Sequence, residues 1–454
     1  MTAARPLPGE SRPYAFPRFE RRTLSNGLGL VIAPLPKLPV VTLLALADAG
    51  AVTDRPGEEG LAVLTARMLS EGAGGRDGTA LTEDVERLGT AIDASADWDA
   101  ALVRLTVLSS RLPEAMALLA DVLMAPALPA REVERLKAER LAELLQLRAE
   151  PRGLADETLD RAVYAAGARY ALPVGGTEHS VSSLTPEAVA GCYAARYHPG
   201  AVTLVVAGDA ETAAVERLAE TTFGTWRGVT RGEIANPDRR TPDGRRVHVV
   251  TKPGAPQSEL RIGHVGIPRT HPDYFPVVVM NAILGGVFSS RINLNLREVH
   301  GYTYGAHSGF DWRRWAGPFA AETAVQQDVT ADAVREVLFE IDRMRETPVA
   351  PSELSLATSY LDGVFPIRFE TTDAVATALA NLVLYGLPGD YYDSYRANVR
   401  AVTADRVLGA ARAHLHPDRL QLVVVGDADR VRAPLERMAI GPVTVADDRG
   451  EPIA

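Results

Sequence analysis

Two stretches of this chain are versions of one another. LTPEAVAGCYAARYHPGAVTLVVAGDA runs from Leu184 to Ala210, and VTADRVLGAARAHLHPDRLQLVVVGDA from Val402 to Ala428; they align without a gap, 218 residues apart. Each reads as a helix opened by Thr, a His-Pro break, a buried-type strand and a Gly-Asp turn. His198-Pro199 matches His416-Pro417, and Gly208-Asp209 matches Gly426-Asp427. Solenoid units recur every ~20–50 residues, so this longer period means two copies of one domain. Within each copy, hairpin-like strands and helices alternate without a strict βαβ rhythm. The expected class is therefore α+β: two homologous domains, each a mostly antiparallel sheet with helices packed on it.

The length of 454 residues, too great for one simple core, agrees with that division. The reading places an N-terminal extension at 1–20, rich in Pro and Arg and expected to wrap a surface. The first domain follows at 21–226, a polar Pro/Gly/Arg linker at 227–246, the second domain at 247–440 and a C-terminal tail at 441–454. In the first copy, Asn26-Gly27 is a hairpin turn and Val40 to Ala49 a strand. Pro113–Leu123 and Arg131–Arg148 are helical by period, the latter with Leu136, Leu141, Leu144 and Leu145 on its apolar face.

A net charge of −10 argues against a general nucleic-acid or anionic-membrane binder, since phosphate surfaces would repel it. The single cysteine, Cys192, excludes an internal disulfide and is read as a buried structural thiol. No apolar leader opens the chain and no run of ~18 apolar residues follows, so a cytoplasmic chain without a membrane span is expected. A periplasmic chain with its leader removed would look the same.

The search for chemistry begins with metal ligands. None of the nine histidines precedes His179, and neither H-E-x-x-H nor H-x-x-E-H occurs. His414 and His416 are two apart, which does not put them on one helical face, so both are read as structural.

The repeat, the SNGLGLVI hairpin (Ser25–Ile32) and the GLAVLTARML helix (Gly60–Leu69) together resemble the M16 (pitrilysin/insulinase) zinc peptidases, in their short-chain, processing-peptidase-like branch. The resemblance covers roughly residues 20–435. It implies two homologous α/β halves. It also implies that the first helix is the place of an inverted zinc motif, His-x-x-Glu-His, whose two His at i and i+4 share a helical face. Here those positions read Val63-Leu64-Thr65-Ala66-Arg67, so both His and the Glu base are missing. Glu143, 76 residues after Arg67, aligns with the family's further ligand. A lone carboxylate cannot hold Zn²⁺. Glu143 either pairs with Arg67 or both side chains are simply solvated.

The second copy differs. Leu284 to Phe310, LGGVFSSRINLNLREVHGYTYGAHSGF, is similar to the family's C-terminal signature, and Arg297 and Tyr304 have the spacing of its Arg/Tyr pair. In the family that pair binds the substrate backbone and helps stabilise the oxyanion, work that suits a guanidinium and a phenol. Phe288 and Ser289 are expected to join them in substrate binding. The plainer alternative is a surface ion-pairing Arg297 and a Tyr304 with its ring on the core. Gly285, Gly286 and Gly301 are read as turn and close-packing residues.

The resemblance thus implies a non-catalytic subunit without zinc of its own, inert alone. Its partner would be a homologous subunit carrying His-x-x-Glu-His and Zn²⁺, and the substrate an unfolded peptide lying extended along a sheet edge. The alternative is a structural scaffold subunit or homodimer of the same fold.

Overall fold

The run Val40–Ala47 is apolar at almost every position because its strand is buried on both faces. Leu43, Ala45 and Ala47 enter one core cluster, and Leu44 and Leu46 another. The structure is a computed structural model that describes residues 12–228, 234, 236–237 and 243–453; most of the linker at 227–246 lies outside the described residues.

The first sheet contains β1 (Glu20–Thr23), β2 (Gly29–Pro34), β3 (Val40–Ala47), β4 (Asp93–Ala96), β5 (Ala101–Leu108) and β6 (Val202–Gly208). Their order is β1-β2-β6-β3-β5-β4. The second contains β7 (Arg246–Thr251), β8 (Gln257–Val265), β9 (Ala306–Phe310), β10 (Pro318–Gln326), β11 (Gln421–Gly426) and β12 (Val443–Ala446). Their order is β12-β7-β11-β8-β10-β9. Five positions of the two sheets correspond one to one. Pairing is antiparallel except β2–β6, β7–β11 and β7–β12. The expected class, two homologous α+β domains, is what the chain adopts.

The outer position is filled differently in each half. β1 reaches it through the Asn26-Gly27 hairpin, where Gly27 has φ +93°. β12 reaches it from the C-terminal side and runs parallel to β7. The second sheet therefore extends past residue 440, into the stretch read from sequence as a tail.

The repeat is visible down to its caps. Thr185 accepts a hydrogen bond from Ala188 N–H at the start of helix Pro186–Arg196, and Thr403 accepts one from Arg406 N–H at the start of helix Ala404–His414. The glycines ending β6 and β11 are crowded: a Cβ on Gly208 would lie 2.3 Å from the backbone oxygen of Val40, and one on Gly426 would lie 2.8 Å from Ser258 Oγ.

Each half lends a helix to the other. Helix Pro151–Val163 lays Leu154, Ala155, Leu159 and Val163 on Val423, Val425 and Ala320 of the second sheet. Helix Thr372–Leu384 lays Val375, Ala376 and Leu379 on the β3–β6 face of the first sheet. At about 1.5–3 kcal/mol per fully buried large aliphatic side chain, this exchange ties the halves into one cooperative structure. The N-terminal segment also crosses over: Phe16 packs on Phe369 and Tyr392, and its N–H donates to Asp393 at 3.1 Å.

Two expectations need correction. Leu145 is exposed, because the buried positions of helix Ala130–Ala149 are Val133, Leu136, Lys137 and Leu144. Cys192 is half-buried and lines a small cavity beside Arg196. Among the described residues one helical stretch, Tyr274–Val299, is long and apolar enough to cross a membrane by length and composition. Its Val277, Val279, Met280 and Leu284 lie instead in the core of the second half.

Candidate functional site

Helix Leu61–Met68 starts from Gly60, whose φ of +96° admits no ordinary side chain without strain. Two backbone N–H groups of this first turn, Gly60 and Ala62, donate to the buried Asp54 carboxylate at 2.9 Å each. Arg169 closes on the same carboxylate at 3.1 Å. Burial nevertheless pushes Asp54 up to about 6, against the lowering effect of Arg169 and the two N–H groups. The helix is therefore anchored firmly although it is short.

Its outward face meets helix Ala130–Ala149. Arg67 donates to Glu139 at 3.0 Å and to Glu143 at 3.2 Å. Glu143 also accepts from Arg140 at 3.1 Å, and Glu139 is paired with Arg135. Of the two readings of Arg67 and Glu143, the geometry is that of the pair, in a partly solvated network: their side chains are 30% and 47% exposed. Val63 lies one turn before Arg67, and Ala66 is fully buried in the apolar core. The residues at this place do not fit zinc. Neither helix contributes a His or Cys, and the two carboxylates present already bind a guanidinium.

Among the described residues one group of His and acidic side chains converges within 4.8 Å: His271, Asp273 and His414. Asp273 holds His414 Nε2 at 2.8 Å, and Asp273 N–H donates to His271 Nδ1 at 3.1 Å. These bonds fasten the start of helix Tyr274–Asn281 to the end of helix Ala404–His414. A His271 Nδ1 that accepts leaves the proton of the neutral ring on Nε2, where a metal would need a lone pair.

The second half presents a different surface. After helix Tyr274–Asn281 the chain widens through Ala282–Gly286, where a Cβ on Gly285 would lie 2.3 Å from Ser308 Oγ of β9. Close packing against β9 therefore requires glycine there. Arg291 forks onto Glu353 at 2.7 and 2.8 Å and holds that carboxyl below its usual range, so this arginine of the Ser-Ser-Arg stretch is architectural. Asn293 donates to Phe288 O at 2.6 Å and accepts from Ala306 N–H at 2.9 Å, locking the loop onto the edge strand. Asn281 does the same through Ser308. Sequence reading missed these framing residues; the Asn-Leu-Asn spelling within the block was their one available sign.

On this frame stand the exposed groups. Tyr304 is 93% exposed, in the loop after Gly301 (φ +67°), and Phe288 is 69% exposed. The core-facing alternative for the Tyr304 ring is thereby excluded. Arg297 lies over the Phe288 ring, 4.6 Å from its centroid, and pairs with Glu298 at 3.6 Å, as the ion-pairing alternative expected. Val299 and Leu294 are exposed beside it, while Ser289 shows no hydrogen bond among the described residues. The patch adjoins β9, the edge strand of its sheet, just as helix Leu61–Met68 adjoins the edge strand β4 of the first sheet.

Comparison with known proteins covers both halves. Residues 33–177 match the family model described as insulinase (peptidase family M16), and residues 183–361 the one described as peptidase M16 inactive domain. An uncharacterized zinc protease of Streptomyces coelicolor is 23% identical over 86% of this chain and 86% of its own length. The mitochondrial-processing peptidase subunit beta of Lentinula edodes is 23% identical over 92% and 91%. The crystal structure of a peptidase M16 inactive domain from Pseudomonas fluorescens superposes with a TM-score of 0.84 at 26% identity, over 90% of this chain and 98% of that one. A protease from Helicobacter pylori, 19% identical over 91% of this chain and 100% of its own, shares the fold with the same TM-score.

Proposed function

From the premise that this chain belongs to the M16 (pitrilysin/insulinase) peptidase family, we propose that it is a zinc-less subunit of a two-chain zinc endopeptidase, contributing Arg297 and Tyr304 to a site completed by a partner. The observation that carries the reading is the asymmetry of its two poles. The zinc-motif place is filled by an ion-pair network, while the Arg/Tyr place presents Tyr304 almost wholly to solvent and a half-buried Arg297 held by the Phe288 ring and Glu298. A scaffold has no use for a phenol held almost wholly in solvent.

In this reading the partner is a homologue carrying His-x-x-Glu-His and Zn²⁺. An unfolded peptide lies extended beside an edge strand, held by main-chain hydrogen bonds. Arg297 and Tyr304 donate to the carbonyl oxygen as negative charge develops on it, and Phe288 and Ser289 line the path of the peptide. Family membership and this chemistry support the reading.

Co-expression with such a homologue tests it. The single chain is expected to leave unfolded casein intact and the pair to cleave it, with cleavage stopped by chelators. Arg297→Ala in this chain should cut kcat of the pair by about 100-fold, as removal of an oxyanion donor does, and Tyr304→Phe by about tenfold. Unchanged rates from a pair carrying either substitution would reject the shared site.

A further inference from the structure

Arg269 breaks a pattern that five other interior arginines keep. Arg169 is matched by Asp54, Arg261 by Asp156 and Glu259, Arg291 by Glu353, Arg313 by Asp311 and Arg396 by Asp362. Arg269 has no carboxylate at ion-pairing distance among the described residues. Its guanidinium lies 3.8 Å from the Tyr274 ring centroid and 4.9 Å from that of Tyr391, and donates to the Tyr391 hydroxyl at 2.6 Å. Aromatic faces offset part of the cost of a half-buried cation, but they do not neutralise it.

This cation opens onto a cavity of about 490 Å³ at the junction of the two halves. Arg104 of β5 forms the wall from the first half, and it is matched by Asp93 and by Asp373 of the lent helix Thr372–Leu384. The other walls come from the second half: Arg368, which has no ion pair among the described residues, the aromatic rings of Tyr391 and Tyr392, and the polar side chains of Thr377 and Asn381. Two guanidinium groups thus lack counter-charges at a ring-lined cavity of the size that holds small ligands.

We infer that this cavity binds a small organic anion bearing a flat ring, its acidic group against Arg269 and Arg368 and its ring among the surrounding tyrosines. The acidic group is a carboxylate or a phosphate; both suit a guanidinium fork. None of the cavity's residues belongs to the Arg297/Tyr304 patch, so the inference stands apart from the proposed peptidase role. Because the walls come from both halves, the ligand bridges them.

Calorimetric titration of the full chain tests the inference. Phenyl phosphate and 4-hydroxyphenylacetate serve as ring-bearing anions, and inorganic phosphate, acetate and phenol as their parts. At least one ring-bearing anion is expected to bind about tenfold or more tighter than any of the parts, since each part forfeits either the charge-assisted bonds or the stacking. The preferred one of the two identifies the acidic group. Arg269→Met should weaken binding by about tenfold or more. Thr377→Trp, which fills the cavity while leaving Arg269 and its tyrosines in place, should abolish it even if Arg269→Met fails to fold. Absence of binding by both ring-bearing anions, equal affinity for their parts, or wild-type affinity in Thr377→Trp overturns the assignment.

Discussion

The two halves hold the same sheet, the same capped helix and the same Gly-Asp turn, yet they have spent their equivalent corners differently. In the first half, the helix beside edge strand β4 turns Arg67 toward Glu139 and Glu143. In the second, the segment beside edge strand β9 turns Tyr304 out into solvent and lays Arg297 over the Phe288 ring, beside Glu298. The contrast separates what a fold needs from what a site needs. Leu61, Leu64 and Met68 keep the first helix packed whatever stands at 63, 66 and 67. The second corner uses Asn281, Asn293, Arg291 and three glycines to hold a loop that presents Tyr304 almost wholly to solvent.

The largest effects test whether the halves are equivalent as architecture. Leu159→Ala and Leu379→Ala each empty a buried site on a lent helix and should cost about 2–5 kcal/mol. Because each helix belongs to one half and covers the other, both variants should melt in a single transition, lowered by a similar amount, by calorimetry. Two separate transitions, or a loss confined to one half, would break the symmetry argued here. The loss of cleavage expected for Arg297→Ala in the assembled pair comes next in size, and it applies to the second corner alone.

The symmetry was legible because it lies in local chemistry. Thr185 and Thr403 announce caps, Asn26-Gly27 a turn, and Gly208 and Gly426 crowded strand ends. The Arg297–Tyr304 positions were singled out by the spacing of a whole block, and the structure adds the exposure of Tyr304. What escaped was everything set by distant partners. Nothing within residues 151–163 or 372–384 says that these helices cross to the other sheet. Leu145 obeys the helical period and is exposed all the same, because no described element covers that side of its helix. Arg269 looks like any surface arginine until Tyr274 and Tyr391 close around it, the latter 122 residues away.

A smaller effect concerns a buried histidine that one half has and the other lacks. By strand register, Leu43 faces Val206 as Leu260 faces Val424, so His264 takes the place of Ala47. His264 donates from Nδ1 to Val265 O at 2.9 Å and accepts on Nε2 from His416 N–H at 3.2 Å, so its neutral ring is fully bonded. Burial lowers it to about 3. Its folded value lies below the unfolded one, so its contribution is complete above about 6.5 and lost as pH falls, by about 2 kcal/mol at pH 5. Asp54 and Asp99, pushed up to about 6 by burial, act in the opposite direction over the same range. Wild type and His264→Gln should therefore be compared at pH 7 and pH 5: the wild type should lose more on acidification. Equal losses would mean that His264 already carries a proton in the folded chain.

The smallest expected effect returns to the first corner. Arg67 has two carboxylate partners, but all three side chains are partly solvated, and exposed ion pairs contribute about 0–1 kcal/mol each. Arg67→Ala should thus cost under about 1 kcal/mol, a difference that 0.5 M salt erases. If so, the network fills the corner without building it, and the helix keeps the geometry that two histidines one turn apart require. The double substitution Val63→His with Arg67→His then puts two imidazoles on one face opposite Glu143, which is released from Arg67 and keeps Arg140. This variant should take up one zinc per chain by metal analysis and still cleave nothing alone, because Ala66 supplies no base. A variant that folds but takes up no zinc would show that the corner has lost its geometry as well as its ligands, and the two halves would then differ in architecture too.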